Sequence, residues 1–156
     1  MERISDNITC AEAIKSQTAA RLGLTNNPGA EALVNMKRVA VRVFELVRRD
    51  VAGGRPLHVS SFFRSADVNA AVAGSSATSQ HCKGEAMDID ADTFGNGTNR
   101  AVFDYIRDNL EFDQLIWEFG DSQNPDWVHV SLKAGGNRRQ VLRSVKRGGK
   151  TLYESI

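Results

Sequence analysis

The sequence is poor in cysteine, with only Cys10 and Cys82 among its 156 residues. Small secreted domains that depend on disulfides contain more cysteines than this. A chain of this length does not need them, since folding buries roughly 68–70% of the surface that the unfolded chain exposes. We therefore expect one domain, residues 1–156, with no requirement for an oxidising compartment.

Neither sign of charge is in excess. The 20 Lys and Arg residues balance 19 Asp and Glu residues to a net charge of +1 at pH 7. Non-specific binding to phosphate groups needs a surplus of positive charge. The composition therefore argues against nucleic acid and anionic membrane surfaces as partners.

Long apolar segments are also absent. No run of 18 apolar residues occurs, and the first ten residues, MERISDNITC, contain neither the basic region nor the apolar stretch of a signal peptide. We expect no membrane insertion, and synthesis in the cytoplasm without a signal peptide.

Histidine is scarce as well, with only His58, His81 and His129 in the chain. Imidazole is the commonest metal ligand and a frequent general acid or base, so any such site has few groups available. His58 lies in a segment without a motif, and we interpret it as a packed strand residue rather than a ligand.

The spacing of apolar residues predicts two long helices, over residues 30–50 and 99–110. Segments rich in β-branched and aromatic residues predict four strands, over residues 57–63, 85–91, 112–119 and 127–132. Because helices come first and strands later, the sequence predicts an α+β fold with a small, largely antiparallel sheet. Residues 146–156 are compatible with an edge strand and carry no assigned chemistry.

Two imidazoles and a carboxylate stand in positions that suggest a metal site. His81 and Asp88 are seven residues apart, which would be roughly 23 Å in an extended chain, so Gly84 must allow the backbone to reverse. Asp88 and His129 each lie within an apolar predicted strand. This ligand set is typical of catalytic zinc, which keeps one coordination position open. The alternative is two packed histidines with a buried, hydrogen-bonded aspartate.

Four motifs in this order resemble the D-Ala-D-Ala metallopeptidase superfamily. The segment SQHCKGEAMDID resembles the signature S-x-H-x-x-G-x-A-x-D, and SFFRSADVNAAVAGSS resembles the arginine-bearing segment before it. FDQLIWEF and DWVHVS resemble the last two strands. The resemblance extends from Ile8 to Leu132. The superfamily includes zinc D-Ala-D-Ala carboxypeptidases and dipeptidases, L-alanyl-D-glutamate endopeptidases of phage lysins, and the hedgehog signalling domain.

The resemblance implies a fold in which the sheet carries the metal site and packs against N-terminal and crossover helices. It implies that one Zn²⁺ per chain is bound by His81, Asp88 and His129. It also implies hydrolysis of a peptide bond in peptidoglycan stem peptides by a metal-activated water.

Further residues receive roles through the same resemblance. Arg64 matches the arginine that binds substrate and stabilises the developing oxyanion. Ser79 and Gln80 are expected to hydrogen-bond the substrate or to orient His81.

The resemblance leaves two candidates for the general base. Asp126 occupies the position three residues before His129, where some branches of the superfamily place an acid. Strand alternation would put it on the opposite face from His129 unless the strand begins after Asp126, which Pro125 favours. Glu118 matches a glutamate of the hedgehog branch, and the apolar residues before it suggest a site that raises its pKa.

The resulting hypothesis is a monomeric zinc peptidase of phage-lysin type, which reaches the cell wall through a holin or within a virion. The alternative is a non-catalytic, hedgehog-like zinc module that binds the cell wall or a protein partner. Both carboxypeptidase and endopeptidase activity are open, since that choice depends on subsites built by loops.

Overall fold

The computed structural model describes residues 2–72 and 75–156, in which six α-helices and eight strands alternate with short helical turns. The strands are β1 (Arg3–Ser5), β2 (Ile8–Thr9), β3 (His58–Ser61), β4 (Ala86–Asp90), β5 (Gln114–Glu118), β6 (Trp127–Ser131), β7 (Gln140–Arg147) and β8 (Lys150–Ser155). The helices are α1 (Cys10–Ala13), α2 (Gln17–Leu22), α3 (Ala30–Val39), α4 (Glu45–Asp50), α5 (Ala66–Ala71) and α6 (Asn99–Asn109).

The main sheet has six strands in the order β3-β4-β6-β5-β7-β8. Every neighbouring pair is antiparallel except β5 and β7, which run parallel. The expected α+β fold with a small, mostly antiparallel sheet is therefore confirmed. Residues 146–156 are compatible with an edge strand, and the structure has that strand as β8. Strand β7 and the small β1–β2 pair were not predicted.

The long helix predicted over residues 30–50 consists of α3 and α4 joined by a π-helical turn, Ala40–Phe44. Side chains on one face of this helix are fully buried, and they include Met36, Val39, Val43 and Val47. These residues are three or four positions apart and form one apolar stripe along the helix. None of the helices in the described residues combines the length and apolarity needed to cross a membrane.

The two faces of the sheet have different surroundings. One face packs against the helices and presents buried apolar side chains, namely Met87, Ile89, Leu115, Trp117, Val128 and Val130. Alternation along each strand places the intervening residues on the opposite face, which borders an open cleft. The polar residues of β4, β5 and β6 therefore lie together on the side that faces the cleft.

Candidate metal centre

Strand register places Asp88 and His129 side by side on the cleft face of the sheet. Asp88 pairs directly with His129 across β4 and β6, and His129 pairs on its other side with Ile116 of β5. Directly paired residues share a face of the sheet. Asp88 Oδ1 accordingly lies 3.0 Å from His129 Nδ1.

A 3₁₀ turn, Gln80–Lys83, brings His81 to this pair. The Ser79 hydroxyl accepts a hydrogen bond from the His81 amide at 3.3 Å and caps the turn. Gly84 then reverses the chain with a φ of 73°, and a Cβ there would lie 2.4 Å from the carbonyl oxygen of Ala32. The reversal that the spacing of His81 and Asp88 requires thus depends on glycine.

The His81 ring is fixed by its surroundings, since it is only 1% exposed. Its Nδ1 lies 2.7 Å from the Phe62 carbonyl oxygen, which makes Nδ1 the protonated donor and leaves a lone pair on Nε2. Nε2 lies 3.4 Å from Asp88 Oδ1. This nitrogen is buried and has no hydrogen-bond partner among the described residues.

The protonation states of His81 and Asp88 suit metal binding, which requires neutral imidazoles and an ionised carboxylate. Burial lowers the pKa of His81, so its ring is neutral at pH 7. Burial opposes ionisation of Asp88, but the neighbouring His81 and His129 outweigh it and lower the pKa of this carboxyl group.

The arrangement therefore fits a metal ion. One donor atom from each of His81, Asp88 and His129 lies within 4.8 Å of the other two. A buried polar atom without a partner is costly, and a cation beside His81 Nε2 would remove that cost. Two imidazole nitrogens and one carboxylate oxygen form a donor set that zinc accepts, with a fourth position open toward the cleft.

Glu118 lies on the same face of the sheet as these residues. It is the last residue of β5, two positions beyond Ile116, and only 6% of it is exposed. Burial raises the pKa of Glu118, although a hydrogen bond from the Ser144 hydroxyl and the neighbouring His129 oppose this effect. The Ser144 hydroxyl donates to Glu118 Oε2 at 2.7 Å, so Oε1 remains available.

Asp126, the other predicted base, is placed differently. Strand β6 begins at Trp127, so the condition set by strand alternation is met. The Asp126 side chain is nevertheless exposed and is not among the residues that line the cleft. Its backbone pairs with Glu118 and with the Asn99 side chain. The structure thus brings Glu118 to the three candidate ligands and leaves Asp126 outside.

The cleft has a volume of about 1410 Å³ and includes the other predicted substrate-binding residues, Arg64, Ser79 and Gln80. Arg64 is half-buried, and its Nε atom has no hydrogen-bond partner within the described part of the chain. Nε itself is buried, but Arg64 lines the cleft, so its guanidinium group borders the space open to a ligand.

Gln80 is already engaged, because its Nε2 donates to Asp113 Oδ2 at 3.1 Å. Asp113 is fully buried and also accepts hydrogen bonds from Arg138, which lower its pKa to about 2 despite burial. Ser79 caps the turn that carries His81. These contacts agree with an orienting role for both residues more than with direct binding of substrate.

Three residues of this region escaped the sequence analysis: Asp113, Ser144 and Tyr153. Asp113 lies directly before β5. The only signal for it in the sequence is that an acidic residue stands beside the apolar residues of a predicted strand. Ser144 and Tyr153 belong to β7 and β8, which carry no motif, so only alternation along an identified strand could have indicated their side of the sheet. His58 lies on β3 with its ring 5.5 Å from that of Phe94, outside the three-residue cluster.

Comparison with known protein families gives a match. A family model described as Peptidase M15 covers residues 6–131. No curated protein sequence matches the chain. The matched range contains the three candidate ligands, both candidate bases and Arg64, and it ends before β7 and β8.

Proposed function

The chain belongs to the Peptidase M15 family of zinc-dependent metallopeptidases, and we propose that it hydrolyses a peptide bond in the stem peptides of bacterial peptidoglycan. The observation that carries the proposal is the grouping in one cleft of His81, Asp88 and His129 with a buried acid of raised pKa, Glu118. This combination provides both a metal site and an acceptor for a proton.

The metal would be held by His81 Nε2, an Asp88 carboxylate oxygen and His129 Nδ1, the atoms that already face one another. When bound, zinc lowers the pKa of a coordinated water to about 7 and polarises the scissile carbonyl. The Phe62 carbonyl keeps His81 in the required tautomer before any metal binds.

Glu118 is the proposed general base. Its raised pKa moves it toward the range in which a carboxylate accepts a proton and returns it efficiently near neutral pH. Oε1 would take the proton of the attacking water while Ser144 holds Oε2 in place. As the carbon–nitrogen bond breaks, the same proton passes to the departing amine, so the peptide gains one water in total.

Arg64 is the proposed substrate-binding residue. Its backbone N–H donates to the His81 carbonyl at 3.2 Å, which ties the arginine segment to the turn that carries the ligand. The guanidinium group, which borders the cleft, would donate to a carbonyl or carboxylate oxygen of the peptide. Negative charge that develops on the scissile carbonyl strengthens such a contact.

Cell-wall peptides are the proposed substrate class because the four motifs resemble enzymes that act on them. The open cleft also suits a peptide that stays attached to a polymer. Lys83 on its wall suits the carboxylates of stem peptides, whereas Lys133 and Arg138 already pair with Asp113. The proposal covers both carboxypeptidase and endopeptidase action.

The test is digestion of purified peptidoglycan by the zinc-loaded protein, followed by mass spectrometry of the released muropeptides. We expect new peptide termini or free D-alanine with the wild type and neither with Glu118→Gln. The identity of the cleaved bond decides between carboxypeptidase and endopeptidase action. Stoichiometric zinc without new termini on several wall types would contradict the proposal and favour the non-catalytic, hedgehog-like zinc module.

The route to the wall is proposed on the same resemblance. A phage-lysin peptidase acts outside the cytoplasmic membrane and reaches the wall through a holin or within a virion. Expression alone should then leave the protein inside intact cells, and coexpression of a holin should release it and lyse the culture. Recovery of the protein from the periplasm without a holin would contradict this route.

A further inference from the structure

The hairpin formed by β7 and β8 lies beyond the residues that the family model matches, yet it extends the cleft face of the sheet. Glu118 pairs directly with Ser144 of β7, and Ser144 pairs directly with Tyr153 of β8. Direct partners share a face, so these three side chains form one row across three strands. Tyr153 thus lies on the side of the metal centre, and it lines the cleft.

This row places the Tyr153 phenol near Glu118, the proposed general base. Strands are about 4.8 Å apart, so the Cα atoms of Glu118 and Tyr153 are roughly 10 Å apart across the sheet. The residue between them, Ser144, is small and buried, and its hydroxyl already points at Glu118. Within this row of side chains, no bulky residue therefore separates the phenol ring from Glu118.

Tyr153 is available to a ligand. It is 52% exposed, and its hydroxyl has no partner among the described residues. The chain has one other tyrosine, Tyr105, whose hydroxyl donates to Asp50. The pKa of Tyr153 is raised by burial and by the carboxylates of Glu118 and Asp88, although Arg64 opposes them. The phenol is therefore protonated at neutral pH and acts as a hydrogen-bond donor.

We propose that Tyr153 is a catalytic residue whose hydroxyl donates a hydrogen bond to the scissile carbonyl oxygen and to the tetrahedral oxyanion that follows. The inference rests on the proposed peptidase function. A protonated phenol cannot serve as the base, so donation is the role that remains for Tyr153. A donor directed at an oxygen that gains charge stabilises the transition state more than the bound peptide.

The decisive variant is Tyr153→Phe, which removes the hydroxyl and keeps the ring. We expect kcat to fall about 10- to 100-fold with KM changed by less than about threefold. Zinc content and the thermal midpoint should equal those of the wild type. The matched control is Tyr105→Phe, which removes the chain's other phenol hydroxyl and should leave both kinetic constants unchanged. Values of kcat and KM for Tyr153→Phe within twofold of the wild type would overturn the inference.

A second measurement does not depend on turnover. Binding of a phosphinate dipeptide, which carries a tetrahedral anion, is compared with binding of the uncleaved peptide to zinc-loaded protein that carries Glu118→Gln. Adding Tyr153→Phe should weaken phosphinate binding about 10- to 100-fold and peptide binding less than threefold. Equal weakening of both ligands would overturn the inference. A wild type that cleaves no peptide would instead contradict the peptidase proposal, so the two failures are distinguishable.

Discussion

His81 and Glu118 are each held at one polar atom and available at the other. Phe62 fixes the His81 ring through Nδ1 and leaves Nε2 facing Asp88. Ser144 fixes Glu118 through Oε2 and leaves Oε1 available. Both groups are thus oriented by the protein itself, which reduces the reorganisation needed when metal and substrate bind.

The two candidate bases are separated by a pair of isosteric variants. Glu118→Gln should keep zinc and lose turnover by about 10²- to 10⁴-fold, because the proton acceptor beside the metal is gone. Asp126→Asn should keep both its zinc and its turnover, because the Asp126 side chain is exposed and lies outside the cleft. Zinc content by mass spectrometry and kcat on a muropeptide provide the measurements.

Either of two outcomes would contradict this assignment. Loss of turnover only in Asp126→Asn would make Asp126 the base and would require its side chain to turn into the cleft. Full activity in both variants would leave the mechanism without a base.

The raised pKa of Glu118 also predicts how the stability of the metal-free protein depends on pH. Between the pKa of the unfolded chain, near 4.5, and the raised pKa of the folded one, the folded protein holds a proton that the unfolded chain has lost. The stability that this bound proton contributes to the folded protein is complete below pH 4.5. It is lost as the pH rises through the pKa of Glu118 in the folded protein. The free energy of unfolding of Glu118→Gln, relative to the wild type, should therefore rise from pH 4 to pH 8.

Urea unfolding in the presence of a chelator measures this difference at each pH. The comparison with the wild type cancels the titration of all other groups. A constant difference between the two proteins across this range would show that the Glu118 pKa is the same in the folded and unfolded states.

The sequence indicates the candidate metal ligands and two candidate bases, but it does not indicate which acid is the base. Ligand type and the resemblance together indicated His81, Asp88 and His129, which the structure groups within one cluster. The choice between Glu118 and Asp126 depends on the course of the chain from Phe119 to Pro125. A left-handed Phe119 and Gly120 determine that course, and no local pattern in the sequence reveals it.

The turn that carries His81 is the element on which the metal centre depends most. Gly84→Ala would combine a left-handed φ with a Cβ placed 2.4 Å from the Ala32 carbonyl oxygen. We expect the free energy of unfolding to fall by about 1 kcal/mol for the backbone conformation and about 1–3 kcal/mol more for the overlap with α3. Zinc affinity should fall as well, because relief of the overlap moves the turn.

Gly95→Ala is the matched control. Gly95 also has a left-handed φ, of 69°, but a Cβ there would meet no atom within 4 Å. Gly95→Ala should lose only the roughly 1 kcal/mol that the backbone conformation costs, and it should keep the zinc affinity of the wild type. Equal losses for the two variants in urea unfolding would show that α3 yields to the added methyl group.

Elements with a strong local pattern were predicted well. The periodic helices at 30–50 and 99–110 and the strands β3 to β6 lie close to their predicted bounds, because burial of one face requires that pattern. Strand β7 was missed. Its position follows from parallel pairing with β5, a contact between segments distant in sequence that leaves little local signal.

The whole molecule is linked through the metal ligands, which come from a turn, β4 and β6. Because these ligands come together only in the folded protein, zinc should bind the folded state and not the unfolded chain. Zinc should therefore raise the thermal midpoint of unfolding, and a chelator should lower it. His81→Ala and Asp88→Ala should lose zinc and activity together, and their midpoints should no longer respond to the chelator. Calorimetric scans with and without zinc provide the measurement.

Tyr105→Phe is a suitable control here, since Tyr105 lies on α6, away from the candidate ligands. Its midpoint should respond to zinc as the wild type does. A variant of Asp88 that still binds zinc stoichiometrically would contradict the proposed ligand set.

The division of the sheet into an apolar face and a polar face could be predicted from alternation, and so could the α+β class. The interpretation of residues 1–156 as a single zinc peptidase domain stays a prediction, as does the monomeric state. A single cooperative transition in the same scans, at a midpoint independent of protein concentration, is the result we expect.

The β7–β8 hairpin also affects how such a protein can diversify. Within the sheet that the structure describes, β8 pairs only with β7, so a change in its length or sequence disturbs no other strand pairing. The metal ligands are encoded upstream, between residues 81 and 129. Selection can therefore alter the wall of the cleft through changes in β8 while the ligand set is inherited intact.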